Sequence, residues 1–469
     1  MTTIPQLKEW ISAPRETEHL EFKEARNLYD RDNLMKYCVA IANEGGGKLI
    51  LGVSDSPPRQ IVGSAAFPNT GDIAFQILTK LRFRVDVEEL QHPEGRVLVF
   101  HIPPRPLGTA YTYEGAYLMR SGESLVAMSE DRLRQIFNEG QPDWLSEFAK
   151  TGVHADEVIQ LLDTQAYFDL LKLPYPTNRD GVLERLKGEE LITPENGSWS
   201  ITRLAAILLA KNLDQFPLEV SRKAVRVVVY EGAGKLKTRL DQTGKKGYAV
   251  GFESLLNFVV GLAPANAVVE QAIRLEVKMF PQQALRELIA NALIHQDFNV
   301  SGTSVMIEMY QDRVEISNPG TPPIDPQRFI DEYRSRNERL ADLMRRMGIC
   351  EEKGSGVDKV VSAAEDFQLP APDFRVATLR TTAVLFAHKD FADMSKTDRI
   401  RACYQHCVLM YVTNQRMTNK SLRDRFNLPE NKVASVSQVI SSTQDAGFVK
   451  LDDSETESKR YARYLPYWA

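Results

Sequence analysis

The sequence has few cysteines, few histidines, no long apolar run and no strong excess of charge. Cys403 and Cys407 lie near His406 on a predicted helix, but the other ligands of a zinc finger are missing, so ordinary buried thiols are the favoured interpretation. No stretch of about 18 apolar residues predicts a membrane span, and the N-terminal residues lack the apolar core of a signal peptide. We therefore expect a cytoplasmic protein with no membrane partner. Because the net charge is −5, any basic surface for nucleic acid must be local.

The 469 residues have the composition of a folded chain with several domains. Residues 1–140 alternate strand-like and helix-like segments. Residues 150–265 are more helical, with a strand pair near 192–201 and another strand near 225–230. Residues 266–390 hold a long amphipathic helix, a hairpin and further helices, and from about residue 397 the pattern reads helix, helix, helix, hairpin. The predicted fold class is α+β multidomain. A stretch rich in Arg and Lys at 222–246 is either a solvated face or a track for nucleic acid.

The long amphipathic helix carries the first candidate site. Its apolar side chains recur at helical spacing and form one stripe: Leu285, Leu288, Ile289 and Ala292. Glu287, Asn291 and His295 recur every four residues and form a polar stripe on a different face. A solvated helix face has the same pattern, but so does a helix that packs on a sheet while lining a polar cleft.

Two further segments follow this helix. Residues 304–317 alternate apolar and polar positions around a turn, which predicts a hairpin with one buried face, and Asn318 and Gly320 come directly after it. Gly354, Ser355 and Gly356 then precede a helical pattern. A glycine-rich loop before a helix N-terminus offers backbone N–H groups to phosphate.

In this order the motifs resemble the GHKL ATPases (gyrase, heat-shock chaperone, histidine kinase and mismatch-repair ATPases), and specifically their RecG-C-terminal-like branch. The resemblance implies a Bergerat-type α/β sandwich that binds ATP with Mg²⁺. Asn291 would hold the Mg²⁺, and Glu287 would orient or deprotonate the attacking water. The remaining nucleotide contacts would come from His295, Asn318, Gly320, Gly354, Ser355 and Gly356. Asn318 replaces the usual adenine-binding Asp, and Gln296 replaces a common Arg, so nucleotide binding is better supported than fast hydrolysis.

The N-terminal segment carries the second candidate site. Leu20 and Phe22 alternate with Glu21 and Lys23, which predicts a strand with an acid and a base on one face. A strand with a surface ion pair has the same pattern. Asp55 follows a predicted buried strand.

Glu16-x4-Glu21-x-Lys23, then Ala42-Asn-Glu-Gly-Gly-Gly47, then Gly52-Val-Ser-Asp55 resemble the Schlafen/AlbA-type domain. By resemblance to its nuclease-active members, Glu16, Glu21 and Asp55 would hold a divalent metal, Mg²⁺ or Mn²⁺. Lys23 would offset charge on the scissile phosphate. Three carboxylates without a metal would repel a phosphate polyanion. Cleavage and plain nucleic-acid binding both remain open.

The C-terminal pattern of short helix, turn, second helix and two strands is typical of a winged helix. Lys432, Ser435 and Gln438 stand where base edges are read, and Lys459 and Arg460 stand on the wing, where phosphates are contacted. A dimerisation module is the alternative. The expected domains are a Schlafen/AlbA-type domain at 1–145, a helical linking region at 146–265, a GHKL domain at 266–392 and a winged helix at 397–469.

Three functions fit these features. The first is an ATP-controlled, metal-dependent nuclease of the kind expected in bacterial anti-phage defence. The second is an ATP-sensing transcriptional regulator that binds DNA without cleaving it, and the third is a scaffold with a degenerate ATP site. The first two need nucleic acid, DNA or RNA, as partner, and the GHKL resemblance implies a homo-oligomer. A helicase is disfavoured because the sequence has no GxxxxGK[ST] phosphate loop.

Overall fold

The computed structural model describes residues 2–12, 17–122, 124–140, 143–263, 265–270, 273–350, 356–452 and 462–469. For residues 131, 138, 265–270 and 273–278 it describes the backbone alone. The chain divides into two compact units, Met1–Pro142 and Asp143–Ala469. Among the described helices, none has both the length and the apolar character needed to cross a bilayer.

The N-terminal unit is a mixed α+β structure built around a four-stranded sheet. Its elements in chain order are α1 (Ile4–Ile11), β1 (Leu20–Lys23), α2 (Arg31–Asn43), β2 (Gly47–Leu51), α3 (Thr70–Leu81), β3 (Asp86–His92), β4 (Gly95–Ile102), β5 (Thr112–Tyr113), β6 (Ala116–Ser121), β7 (Ser124–Ala127) and α4 (Glu130–Glu139). The sheet order is β1-β2-β4-β3, with β1 and β2 parallel and the other pairs antiparallel. Strands β5, β6 and β7 form a smaller sheet, and β6 contacts α2.

The second unit begins with a three-stranded sheet and short helices. Its first elements are β8 (Phe148–Val153), α5 (Ala155–Leu161), α6 (Thr164–Leu170), α7 (Arg179–Gly188), β9 (Ile192–Glu195), β10 (Ser198–Thr202), α8 (Arg203–Leu209) and α9 (Leu218–Ser221). The strand order is β8-β10-β9. The strand pair predicted near 192–201 is formed by β9 and β10, and β8 adds a third strand to it.

A six-stranded sheet and its helices follow. The elements are β11 (Arg226–Tyr230), β12 (Thr238–Thr243), α10 (Tyr248–Leu262), β13 (Ala265–Glu270), β14 (Ile273–Lys278), α11 (Gln282–His295), β15 (Met306–Met309), β16 (Arg313–Pro319), α12 (Glu338–Arg346), α13 (Gly356–Asp366), β17 (Asp373–Ala377) and β18 (Arg380–Phe386). The strand order is β12-β11-β15-β16-β18-β17. Strand β11 lies before the domain boundary expected at residue 265 and β15 lies after it, but the two strands pair in this sheet. The expected boundary therefore separates strands of one sheet.

Helix α11 packs on this sheet through the apolar stripe that its sequence predicts. Leu285, Leu288, Ile289 and Ala292 are all buried, and α11 contacts β16, α10 and α13. The predicted hairpin at 304–317 is formed by β15 and β16, whose register pairs Ile307 with Ile316. The polar stripe of α11 is therefore held beside the end of β16.

The chain ends in a C-terminal bundle, by which we mean residues 396–469. It contains α14 (Lys396–Val412), α15 (Asn419–Arg425), α16 (Val433–Asp445), β19 (Val449–Leu451) and β20 (Tyr464–Pro466), and the two strands are antiparallel. Leu422 and Val436 are fully buried, whereas Val433, which helical spacing places on the apolar face of α16, is 47% exposed at the start of that helix. The winged-helix interpretation of this element order stays a prediction.

Candidate nucleotide pocket and N-terminal charge cluster

The C-terminal end of α11 is fixed by the side chain of Asn337. The last carbonyl groups of a helix have no partner within the helix. Asn337 Nδ2 donates to the carbonyl oxygens of Ile294 at 2.6 Å and Gln296 at 2.8 Å. This contact holds the polar stripe of α11 at a defined position beside the sheet.

A pocket of about 1140 Å³, which includes space open to solvent, lies against this stripe. Five of the predicted nucleotide-binding residues line it: Glu287, Asn291, His295, Asn318 and Gly356. Gly320 lies behind this lining, and its carbonyl oxygen accepts a hydrogen bond at 2.8 Å from Thr381 Oγ1, which does line the pocket. Gly354 and Ser355 lie outside the described residues.

Glu287 is 5% exposed. Burial raises the pKa of its carboxyl group and outweighs the nearby positive charges of Lys359 and Arg286, which act to lower it. The start of α13 lies directly against Glu287. A Cβ built on Gly356 would stand 2.9 Å from Glu287 Oε2 and 3.5 Å from Asn291 Nδ2, so a side chain at this position would force one of these groups to move. The glycine therefore brings the N-terminus of α13, an electropositive helix end, next to the two polar residues of α11.

The opposite part of the pocket is formed by the end of β16. Asn318 Nδ2 donates to the carbonyl oxygens of Pro319 at 3.1 Å and His295 at 3.4 Å. This orientation leaves Oδ1, a hydrogen-bond acceptor, as the atom that the amide can offer to a ligand. Gly320 has φ +94°, and a Cβ there would lie 2.7 Å from the Cβ of Asp297, so the turn after Asn318 requires glycine.

The donor set fits a magnesium nucleotide. Asn291 offers an amide oxygen, a ligand type that suits Mg²⁺, and Glu287 stands one helical turn away, within reach of a water beside the metal. The N-terminus of α13 is suited to phosphate groups. No single residue defines this site; its chemistry comes from α11, β16 and α13 meeting at one pocket.

Sequence reasoning missed part of the pocket. Thr381 and Ala383 on β18 line it, as does a segment between β16 and α12 that contributes Pro322, Pro323, Ile324, Phe329, Glu332, Tyr333 and Arg334. Strand β18 reaches the pocket only because it pairs with β16. That pairing joins distant parts of the chain and leaves no local signal, although the Pro322-Pro323 pair marks an irregular segment.

His295 is held neutral in this pocket. Burial lowers the pKa of its imidazole to about 4, and the charge of Arg336 acts in the same direction. Its Nδ1 is buried and has no hydrogen-bond partner among the described residues. A neutral imidazole can donate from one ring nitrogen and accept at the other, which suits the polar edge of a nucleotide.

We expect the His295 pKa to make the nucleotide-free protein less stable in mild acid. The unfolded chain, with an ordinary histidine pKa of 6.5, binds the proton first as the pH falls, so stability is lost between pH 6.5 and about 4. The loss from pH 7 to pH 5 is about 2 kcal/mol from this residue. The raised pKa of Asp358, about 6 because of burial, acts in the opposite direction. Only the difference between wild type and His295→Gln therefore isolates the histidine.

The measurement is hydrogen exchange of the α11 amides at pH 7 and pH 5, corrected for intrinsic exchange rates. His295→Gln should lose less protection between the two pH values than wild type does. The control is His388→Gln, at an exposed position, which should behave as wild type. Equal pH dependence in all three proteins would contradict the prediction.

In the N-terminal unit, Glu21 is buried within a cluster of charges and does not lie on an exposed strand face. Its two carboxylate oxygens are ion-paired, one with Lys23 Nζ at 2.6 Å and the other with Arg120. The Glu21 and Arg120 side chains are 1% and 0% exposed. Tyr37 lies against both cations, with its ring centre 5.5 Å from Lys23 Nζ and 5.4 Å from the Arg120 guanidinium. Burial lowers the pKa of Lys23, but the hydrogen bond and charge of Glu21 outweigh it, and the pKa is raised.

Asp55 lies at the edge of this cluster. Its Oδ2 is 3.6 Å from Lys23 Nζ, and its Oδ1 accepts a hydrogen bond at 2.9 Å from the backbone N–H of Glu24. Glu21 is therefore neutralised by two cations, and a divalent metal held by Glu21 and Asp55 would stand close to both cations. The described arrangement does not fit such a metal, and within the described residues no group of three His, Cys, Asp or Glu side chains could hold one. Glu16 lies outside these residues, and the metal role of the three acids stays a prediction.

Three of the residues predicted to contact DNA are described by the structure. Lys432 and Gln438 are exposed and Ser435 is half-buried, whereas Lys459 and Arg460 lie outside the described residues. On α14, Cys403 and Cys407 are buried, and His406 Nδ1 is 3.0 Å from the carboxylate of Glu365. The buried-thiol interpretation is therefore confirmed.

Four of the eight Lys and Arg residues in the basic stretch at 222–246 are ion-paired, and a fifth, Lys223, is buried. Lys223 is buried and donates to the carbonyl oxygen of Val300 at 2.8 Å. Four other residues of the stretch have acidic partners, in the ion pairs Arg226–Asp241, Lys235–Glu308, Lys237–Glu231 and Lys245–Asp214. These contacts favour a solvated face over a track for nucleic acid.

Family models match two segments of the chain. Residues 16–129 match the family described as "Schlafen, AlbA_2", and residues 302–385 match the family described as "Putative ATP-dependent DNA helicase recG C-terminal". Both resemblances that the sequence motifs carry are thereby confirmed. Neither match includes residues 397–469. A comparison with curated proteins gave no significant match.

The solved structures that are similar to the chain include the following two. The crystal structure of a Corynebacterium diphtheriae protein has a TM-score of 0.44 and 17% identity, and the match covers 99% of this chain and 96% of that chain. The solution structure of the N-terminal domain of a RecG-related protein from Nitrosomonas europaea has a TM-score of 0.21 and 23% identity. That match covers 26% of this chain and 92% of the other.

Proposed function

We propose that this chain, which combines a Schlafen/AlbA_2 domain with a RecG-like domain of the GHKL ATPase type, binds nucleic acid under the control of bound Mg·ATP. The two domains indicate an ATP-dependent nucleic-acid-binding protein. The finer proposal is that nucleotide in the pocket changes the affinity for nucleic acid and that the chain binds its target without cutting it.

One observation carries the nucleotide part of the proposal. Glu287, Asn291, His295, Asn318 and Gly356 come from three elements and all line one pocket. When bound, Mg²⁺ would neutralise phosphate charge there. Asn291 would bind the metal, the α13 N-terminus would bind phosphate, and Asn318 would accept a hydrogen bond from an amino group of the base.

The N-terminal charge cluster supports binding over cleavage. Arg120 and Lys23 already neutralise Glu21, so this acid is not free to hold a metal. A nuclease would need these ion pairs to break and Glu21 to turn to a cation. The scaffold alternative is disfavoured because the pocket keeps both the carboxylate of Glu287 and the amide of Asn291.

The test measures the affinity of the full chain for labelled tRNA, single-stranded DNA and duplex DNA, with and without Mg·ATP. We expect Mg·ATP to change at least one of these affinities by about fivefold or more, a typical coupling between two sites. Asn291→Ala should lose this response. Asn299→Ala, at an exposed position just beyond α11, should keep it.

Each reaction is also checked for cleavage in Mg²⁺ and Mn²⁺, with Glu21→Gln as the comparison. Metal-dependent cleavage that is lost in Glu21→Gln would overturn the proposal in favour of the nuclease. Failure of wild type to bind ATP would overturn its nucleotide part.

A further inference from the structure

The segment between β16 and α12, residues 321–336, covers the nucleotide pocket, and we call it the cover segment. Its inner side contributes seven residues to the pocket lining, among them Phe329 and Tyr333. Because this segment forms part of the pocket wall, its movement would change how easily a nucleotide enters or leaves. The contacts on the outer side of the cover segment should therefore affect the rate of nucleotide exchange.

The outer side of the cover segment is bound by the C-terminal bundle. Tyr404 on α14 donates its hydroxyl hydrogen to the carbonyl oxygen of Gln327 at 2.8 Å. Trp468 Nε1 in turn donates to Tyr404 Oη at 3.3 Å, and the Arg328 guanidinium lies 4.1 Å from the Trp468 ring centre. Ile330 is buried in the same apolar cluster as the helices of the bundle. The segment is thus held by a hydrogen bond, a cation–π contact and apolar packing.

The bundle also holds α13, the helix whose first residue lies against Glu287. Near its far end, Glu365 is 3.1 Å from Arg425 Nε and 3.0 Å from His406 Nδ1. All three side chains are largely buried, with exposures of 15%, 2% and 8%. Separating a buried charge from its partner is costly, so α13 and the bundle should move together.

The link between α13 and β17 is bound to the bundle as well. Its backbone carbonyl groups accept hydrogen bonds from three bundle side chains: Arg425 to Leu369 at 2.7 Å, Arg401 to Ala371 at 3.1 Å and Gln405 to Pro372 at 2.8 Å. Both the cover segment and α13, two walls of the pocket, therefore have their outer contacts in one module.

We infer that the C-terminal bundle is an intramolecular clamp on the nucleotide pocket: it holds the cover segment and α13 in place and so sets the rate of nucleotide exchange. The inference rests on the proposed function for its ligand, a purine nucleoside triphosphate. Thermodynamic linkage makes this effect mutual. If the bundle contacts stabilise bound nucleotide, bound nucleotide stabilises the bundle contacts by the same free energy. The clamp provides a route by which ATP alters the position of a module that we expect to contact DNA.

The test loosens the clamp from each side and measures exchange of a fluorescent ATP analogue by stopped flow. Tyr404→Phe removes the hydrogen bond to Gln327. Arg328→Gln removes the contact with Trp468 together with the ion pair that Arg328 makes with Asp331 inside the cover segment. We expect each variant to raise the dissociation rate constant about fivefold, the effect of losing one ordinary hydrogen bond. Association should also become faster, because a loosened cover opens more often.

The matched control is Tyr464→Phe, which removes a hydroxyl group from β20 in the same bundle. Within the described residues this hydroxyl makes no hydrogen bond to the cover segment, so exchange should stay at the wild-type rate. Exchange rates that are unchanged in Tyr404→Phe and Arg328→Gln, or changed equally in Tyr464→Phe, would overturn the inference.

Hydrogen exchange of the cover segment separates this inference from the proposed function. In the absence of nucleotide, Tyr404→Phe should expose the amides of residues 321–336 to faster exchange, with α16 as protected as in wild type. If wild type binds no nucleotide, the proposed function fails, while this measurement still decides whether the bundle holds the cover. Unaltered exchange of the cover segment would refute the clamp even if ATP binds.

Discussion

By the role that the GHKL resemblance gives to Glu287, Glu287→Gln is expected to slow any ATP hydrolysis by about 10²–10⁴-fold, the usual contribution of a general base, while ATP affinity stays near that of wild type. Glutamine has the same shape as glutamate and preserves the packing against Gly356, but it cannot accept a proton from water. Burial raises the pKa of the Glu287 carboxyl group, which brings its basicity closer to neutral pH. The variant therefore separates the chemical step from binding.

The measurement is phosphate release under single-turnover conditions, together with the equilibrium affinity for a fluorescent ATP analogue. Glu338→Gln is the matched control, because Glu338 lies exposed at the start of α12 and is not among the residues that line the pocket. It should hydrolyse ATP at nearly the wild-type rate. Equal rates in wild type and Glu287→Gln would mean that Glu287 does not act as the base, even if Asn291 still binds the metal.

The nucleotide site could be predicted from sequence because much of its chemistry is local. Glu287, Asn291 and His295 lie on one helix, and helical periodicity alone places them on a common face. Asn318 lies near the end of β16, a strand whose alternation is visible in the sequence. Gly356 is predicted from the glycine-rich pattern at a helix start, although its close approach to Glu287 is seen only in the structure.

The contacts that could not be predicted are those between distant segments. β11 joins the sheet of the pocket through parallel pairing with β15, and no local pattern reports such a partner. The clamp contact of Tyr404 could not be predicted either. An aromatic residue on a helix predicts burial, but it does not predict which carbonyl group accepts its hydroxyl hydrogen.

The same limit explains the N-terminal cluster. The sequence places Glu21 and Lys23 on one strand face, where an exposed ion pair or a metal ligand is equally reasonable. Only folding brings Arg120, on β6, against the carboxylate of Glu21 and excludes water from both. This burial changes what the residues are expected to do, and it makes a prediction about stability.

Arg120→Met should destabilise the N-terminal unit by about 3–5 kcal/mol, because it leaves the buried carboxylate of Glu21 with Lys23 as its remaining ion-pair partner. The double variant Glu21→Leu, Arg120→Met removes both charges of the pair. It should recover most of the loss, since apolar side chains of similar size can replace a buried ion pair at little cost. Hydrogen exchange of the β1 and β2 amides reports the free energy of opening of this unit within the full chain.

The control is Arg84→Met, in which the lost partner belongs to an exposed pair. Arg84 lies 2.8 Å from Asp86, but the two side chains are 81% and 68% exposed, so the loss should be within about 1 kcal/mol. If Arg120→Met lost as little stability as Arg84→Met, the protein would tolerate Glu21 without its arginine partner. That result is expected if a metal can take the place of the arginine. Addition of Mn²⁺ distinguishes the two cases. Selective stabilisation of Arg120→Met by Mn²⁺ would indicate that Glu21 can hold a metal, whereas a large loss unaffected by Mn²⁺ would identify the ion pair as structural.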